Sequence, residues 1–125
     1  MDVTPLIPAG RQVLERYGNG GFRITGVMWQ GPVLVHPTRT EAAPLLDAAA
    51  LSLDSFGFLL DPAFGVQVLL IGGGRSTPFL PLPLRAALRE RGVVAEPMDT
   101  GAACRTYSIL LAEDRPVAAA LIPVG

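Results

Sequence analysis

Two stretches of this chain gather groups that could hold a ligand. The first, Gly72-Gly73-Gly74-Arg75-Ser76-Thr77, follows an apolar run. Its glycines would let the backbone approach a ligand and present N–H groups to an anion. Stricter tests fail: Thr77 stands where a dinucleotide fingerprint needs its third glycine, and Pro78, Pro81 and Pro83 keep a helix from opening at once. A structural turn is the simpler reading, ahead of phosphate binding or other ligand and partner contacts. Gly72, Gly74, Arg75, Ser76 and Thr77 are the candidates from this stretch.

The second stretch, Met98 to Tyr107, joins a strand end to a helix start and concentrates polar groups between apolar blocks. Asp99, Thr100, Cys104, Arg105 and Tyr107 are its candidates for a ligand or partner surface. If its strand runs parallel to the apolar run before Gly72, the two loops meet at the carboxyl edge of one sheet, where open α/β folds place ligands. The plainer reading makes Asp99 and Thr100 helix caps and Tyr107 a core residue with a satisfied hydroxyl.

No catalytic set accompanies these loops. Cys104 beside Arg105 at a helix start could have a depressed pKa. A cysteine-phosphatase loop, however, needs an arginine six positions on, where Leu110 stands. A packed, inert thiol is the better expectation. His36 has no neighbouring carboxylate or nucleophile to define a general base. Glu113 and Asp114 are adjacent on a helix end and point to different faces. All ten basic residues are arginine, which removes Schiff-base chemistry, pyridoxal phosphate attachment and a Walker lysine. One cysteine and one histidine cannot form an internal disulfide, a zinc finger or a two-histidine centre. Neither a metal nor a cofactor is expected, and the chain reads as a binding module rather than an enzyme.

The elements that must position the two loops follow from apolar patterning. Val66–Ile71 is a nearly continuous apolar run ending in glycines, which predicts a central strand buried on both faces. Pro81 and Pro83 suit the first turn of a helix that Gly92 stops, with Leu80, Leu84, Ala87 and Leu88 on one face and Arg85, Arg89 and Arg91 on a solvated one. A strand over 93–98 follows, limited by Pro97. A helix from Asp99 or Thr100 then carries Ala103, Tyr107, Leu110 and Leu111, and Arg115-Pro116 ends it before a strand over 117–122.

Upstream, Gly18-Asn19-Gly20-Gly21 predicts a turn, and the segments around Phe22–Ile24, Val27–Trp29 and Val33–Val35 predict a meander that Pro37 stops. Leu45, Leu46, Ala49, Leu53 and Phe56 recur at helical spacing, which predicts two short helices between Thr40 and Asp61. The expected fold is α/β, a mixed, partly parallel sheet covered by helices with a β-rich N-terminal part, in one domain over 1–125.

Composition narrows the partners. A net charge of −1, a pI near 5.7 and 17% charged residues give no electrostatic grip on nucleic acid. Pro44, Asp47, Asp54 and Asp61 interrupt the candidate membrane span, and Met1-Asp2-Val3-Thr4-Pro5 lacks a secretion signal, so a cytoplasmic protein is expected. A mean hydropathy of +0.41 is high for a small chain and compatible with a covered apolar surface, as in a homodimer.

Three runs carry a resemblance: Leu70-Ile71-Gly72-Gly73-Gly74; Met98-Asp99-Thr100 with Ala102-Ala103-Cys104-Arg105-Thr106-Tyr107; and Glu113-Asp114-Arg115-Pro116-Val117-Ala118-Ala119-Ala120-Leu121. Tyr17-Gly18-Asn19-Gly20-Gly21-Phe22-Arg23-Ile24 and Gly31-Pro32-Val33-Leu34-Val35 extend it over nearly the whole chain. The chain resembles the small domain family that includes mitochondrial complex I assembly factor three and uncharacterised bacterial relatives. The resemblance implies a three-layer α/β fold with a mixed central sheet, no established enzymatic activity and, through the mitochondrial member's role in assisting membrane-complex assembly, indirectly a protein partner. Ser108, in place of asparagine, and Gly73, in place of a polar residue, depart from the pattern.

Overall fold

The computed structural model describes residues 9–125. Strands β1 (Leu14–Gly18), β2 (Gly21–Ile24) and β3 (Val27–Gln30) form an antiparallel three-stranded sheet. Its two hairpins turn on two residues each, Asn19-Gly20 and Thr25-Gly26, all four with positive φ. Such turns match the natural twist of paired strands. Thr25, at φ 45°, is a β-branched residue in a region that disfavours it. Its hydroxyl accepts from Val13 N at 2.8 Å and its own N–H donates to Val13 O at 2.9 Å.

The second sheet has five strands in the order β5-β4-β8-β6-β7: β4 (Val33–His36), β5 (Arg39–Ala42), β6 (Val68–Gly73), β7 (Val94–Met98) and β8 (Val117–Ile122). β4 pairs antiparallel with β5 and β8, and β6 pairs parallel with β7 and β8, so the sheet is mixed. Pro97 is tolerated because β7 is an edge strand.

Strand alternation sorts the core into two layers. Leu34, Leu69, Ile71, Ala118 and Ala120 face one side, under Phe56, Leu59, Leu84 and Leu88. Val33, Val35, Leu70, Ala119 and Leu121 face the other, under Phe22, Ile24, Ala103, Tyr107 and Leu111. The first side is covered by helix α1 (Leu82–Glu90) and the 3-10 helices η1 (Leu53–Leu60) and η2 (Pro62–Phe64). Helix α2 (Thr100–Ala112) and the small sheet cover the second. Ala118, Ala119 and Ala120 of central β8 are fully buried, and their small side chains let both covering layers come close.

The region from Thr40 to Asp61 differs from the two helices its spacing predicts. It begins with β5 and continues through turns into 3-10 helix η1. Ser52 opens η1 by a reciprocal capping exchange with Ser55, and Gly57, at φ 46° and ψ −127°, breaks it. The helical spacing was only apparent: Leu46, Phe56 and Leu59 are buried, whereas Leu45 is 94% exposed. β1 is a strand the sequence reading misses, because Glu15, Arg16 and Tyr17 are all solvent-facing and show no alternation. β6 starts and ends two residues later than the apolar run suggests, so Gly72 and Gly73 belong to the strand rather than to a loop. Arg85 is not wholly solvated, since its guanidinium donates to Ala95 O at 3.1 Å.

Candidate functional site

The two candidate loops do come together at the carboxyl edge of β6 and β7, where Gly72 pairs with Met98. They are bonded directly to each other. Thr100 N donates to Gly74 O at 2.8 Å, and Gly74 N donates to Thr100 Oγ1 at 2.8 Å. The same hydroxyl donates to Ile122 O at 2.6 Å. One fully buried threonine thus ties the end of β6, the start of α2 and the end of β8.

The glycines serve this closure. A Cβ on Gly72 would lie 2.9 Å from Thr100 Oγ1 and 3.0 Å from Leu121 Cδ2. On Gly73 it would lie 2.5 Å from Ser76 O and 2.6 Å from Pro78 Cδ. Gly74 has φ 85°, a conformation glycine adopts readily. Close approach therefore accounts for Gly72 and Gly73 and positive φ for Gly74, whose N–H is taken by Thr100.

Asp99 caps α2, its carboxylate accepting from Ala102 N at 2.8 Å. A Cβ on Gly101 would lie 2.7 Å from the Tyr17 hydroxyl, so β1 reaches across the first turn of the helix. Cys104 is buried, and loss of solvent pushes its thiol up to about 12, against the opposing pull of Arg105. Burial therefore works against the depressed pKa that a nucleophilic thiol needs. Tyr107 is buried with its hydroxyl donating to Gln12 O at 2.9 Å, and burial raises its pKa. Arg75, Ser76, Thr77 and Arg105 are exposed.

His36 is also committed. Its Nδ1 accepts from Thr38 N at 3.0 Å, which leaves Nε2 to carry the proton and donate to Phe64 O at 2.8 Å. Burial lowers its pKa, the Phe64 carbonyl opposes that, and Arg11 adds to the lowering. The Phe64 ring packs edge-on at 5.0 Å. Among the described residues no three His, Cys, Asp or Glu side chains converge on a metal-sized space, and no helix is long and apolar enough to cross a membrane.

Sequence reading missed the most exposed feature near these loops. Phe79 is 78% and Leu82 77% exposed, three positions apart, between Pro78, Pro81 and Pro83. The prolines fix the segment that carries both side chains. The available signal was two bulky apolar residues at proline-punctuated positions outside the core face of α1.

Comparison with known proteins places this architecture. The chain is 40% identical over 116 residues to an uncharacterized protein of Rhodobacter capsulatus, covering 93% of this chain and 88% of that one. It is 34% identical over 113 residues to a Danio rerio protein named NADH dehydrogenase [ubiquinone] 1 alpha subcomplex assembly factor 3. That match covers 89% of this chain but 64% of the fish protein, so the chain spans less than two thirds of that relative. The crystal structure described as an outer membrane protein from Bartonella henselae superposes with a TM-score of 0.82 at 37% identity, covering 96% of this chain and all of that one. Residues 14–122, from the first strand of the small sheet to the end of β8, match the family described as "Protein of unknown function (DUF498/DUF598)", and the chain belongs to that family.

Proposed function

We propose that the chain is a non-catalytic, cytoplasmic protein-binding domain that assists the assembly of a multisubunit complex, a respiratory membrane complex being the one its relatives suggest. The observation that carries this reading is the rigid segment with Phe79 and Leu82 held in solvent, following the exposed Arg75, Ser76 and Thr77. An exposed aromatic side chain on a proline-restricted segment, four residues after an exposed arginine, fits the aromatic and arginine enrichment of protein interfaces. The name of the fish relative supports an assembly role. The committed state of Cys104 and His36 supports the absence of catalysis. The other reading, a small-molecule or anion binder or weak enzyme in the crevice between the glycine loop and Asp99–Tyr107, draws no support from loops hydrogen-bonded face to face.

Affinity purification of the tagged protein at endogenous level tests the proposal, against Phe79→Ala, Leu82→Ala and Arg75→Ala, Arg105→Ala double variants. All four side chains are exposed, so the variants should melt like the parent. A specific partner present with the parent and lost from both variants is the expected result. Recovery of no specific partner at concentrations suited to transient contact would overturn it. A solution mass of twice the chain, returning to one in the Phe79→Ala, Leu82→Ala variant, would instead assign that surface to a homodimer.

A further inference from the structure

A second surface has the opposite chemistry. Between the edge strand β5 and η1 lies an open groove of about 460 Å³, within the range of sites that bury bulky apolar groups. Leu34 forms its floor, and Ala42, Ala43, Ala50 and Gly57 line it with little or no side chain. Its depth follows from those small residues. A Cβ on Gly57 would already press on Leu34 Cδ1 at 3.2 Å. Leu45 stands at the rim, 94% exposed.

The charge around this groove has one dominant sign. From Glu41 to Gly74 the chain contains Glu41, Asp47, Asp54 and Asp61 and no arginine, lysine or histidine. Glu41 and Asp54 line the groove, and the exposed Asp47 opens the turn between the lining residues Leu46 and Ala50. Arg39, the nearest cation in sequence, pairs with Glu41 and lies 4.7 Å over the Phe58 ring, so it offsets one carboxylate and leaves the others facing solvent. An apolar hollow with an acidic rim complements an apolar side chain flanked by cations.

We infer that this groove docks a partner segment that inserts a bulky apolar side chain and carries lysine or arginine on either side of it. The inference deepens the partner-binding reading and rests on it, adding a surface remote in sequence from Phe79 and Leu82 and opposite to it in charge. A domain with Phe79 and Leu82 exposed on one segment and an acidic-edged groove on another has the means to hold two different components together. An acidic apolar segment, a nucleic acid or an anionic membrane would be repelled by the same rim.

The test uses two synthetic amphipathic peptides with the same leucine spacing, one with lysines and one with glutamates at the polar positions, titrated into the isotope-labelled full chain. The lysine peptide should shift the amide resonances of Leu34, Ala42, Leu46, Ala50 and Gly57 saturably, and the glutamate peptide should bind at least about tenfold more weakly. Asp54→Lys should narrow or reverse that preference. Ala50→Trp, at an exposed lining position, should fill the groove and abolish the shifts while the thermal melt stays that of the parent. Absence of saturable shifts at millimolar peptide, equal binding of both peptides, shifts centred on Phe79 and Leu82, or indifference to Ala50→Trp would each overturn the inference. If a lysate partner is captured by the parent and by Ala50→Trp alike while the lysine peptide fails to dock, the groove assignment falls and the assembly reading stands. If the peptide docks as expected but no partner depends on Phe79, Leu82, Arg75 or Arg105, the groove stands and the assembly surface falls.

Discussion

Replacing Thr100 by valine removes the hydroxyl at nearly constant shape and separates a structural tie from a ligand contact. In the native protein that oxygen donates to Ile122 O and accepts from Gly74 N, with the side chain fully buried. Thr100→Val leaves one carbonyl and one N–H without these partners, the N–H buried and the carbonyl partly so. Each orphaned group costs about 1–3 kcal/mol, and partial relaxation of the Gly74 turn gives a combined loss of about 2–4 kcal/mol. For a chain of this size, a urea slope of about 1–3 kcal/mol per molar converts that loss to a midpoint lower by roughly 1–2 M. Thr100→Ser keeps both hydrogen bonds and loses one buried methyl, worth about 1 kcal/mol. The assay is urea unfolding of the three proteins followed by circular dichroism, with unchanged slopes. If Thr100→Val and Thr100→Ser unfold within about 0.5 kcal/mol of each other, the hydroxyl is not a tie and the account of the closed crevice is wrong.

Two further outcomes follow from the buried titratable groups. His36 has a pKa below its ordinary value of about 6.5, so on acidification the unfolded chain takes up a proton before the folded one. Stability contributed by the neutral ring is complete above about pH 7, falls as pH drops through 6.5, and continues to fall until the folded-state pKa is reached. Thermal melts from pH 8 to 5 should show this loss, and His36→Asn should flatten it over that window; an equal slope in both proteins would refute the assignment. Cys104, with its thiol pushed up to about 12, should be alkylated by iodoacetamide at pH 8 at least about a hundredfold more slowly than a free cysteine. Urea should restore ordinary reactivity, and rapid labelling of the native protein would contradict the burial described above.

Much of the fold was legible where apolar runs end at strong punctuation. β8 coincides with the run from Val117 to Ile122 because proline stands on both sides of it, and α1 and α2 start where Pro81 and Asp99 suggest. The turn at Asn19-Gly20 was legible for the same reason, whereas Thr25-Gly26 was not, since threonine rarely adopts positive φ. The stretch from Thr40 to Asp61 misled because alanine and leucine fit a helical period equally well when they cover a sheet in 3-10 turns. Gly72 and Gly73 read as loop because strand propensity disfavours glycine, while in the molecule the approach of Thr100 and Pro78 requires it there. The meeting of the two candidate loops followed from the parallel order of β6 and β7. That the loops bond to each other instead of holding a ligand depends on angstrom-scale distances that residue types do not encode.

The order of strands also bears on how the protein is made. β8 follows β4 to β7 in the chain, yet it lies between β4 and β6, which do not pair with each other. Until residue 122 has been synthesised, the hairpin of β4 and β5 and the parallel pair of β6 and β7 are two fragments with no shared strand, each presenting an apolar edge. The nascent chain therefore passes through a period in which both edges can recruit the wrong strand. Closure of the five-stranded sheet therefore waits on β8, whose buried alanines join its two halves.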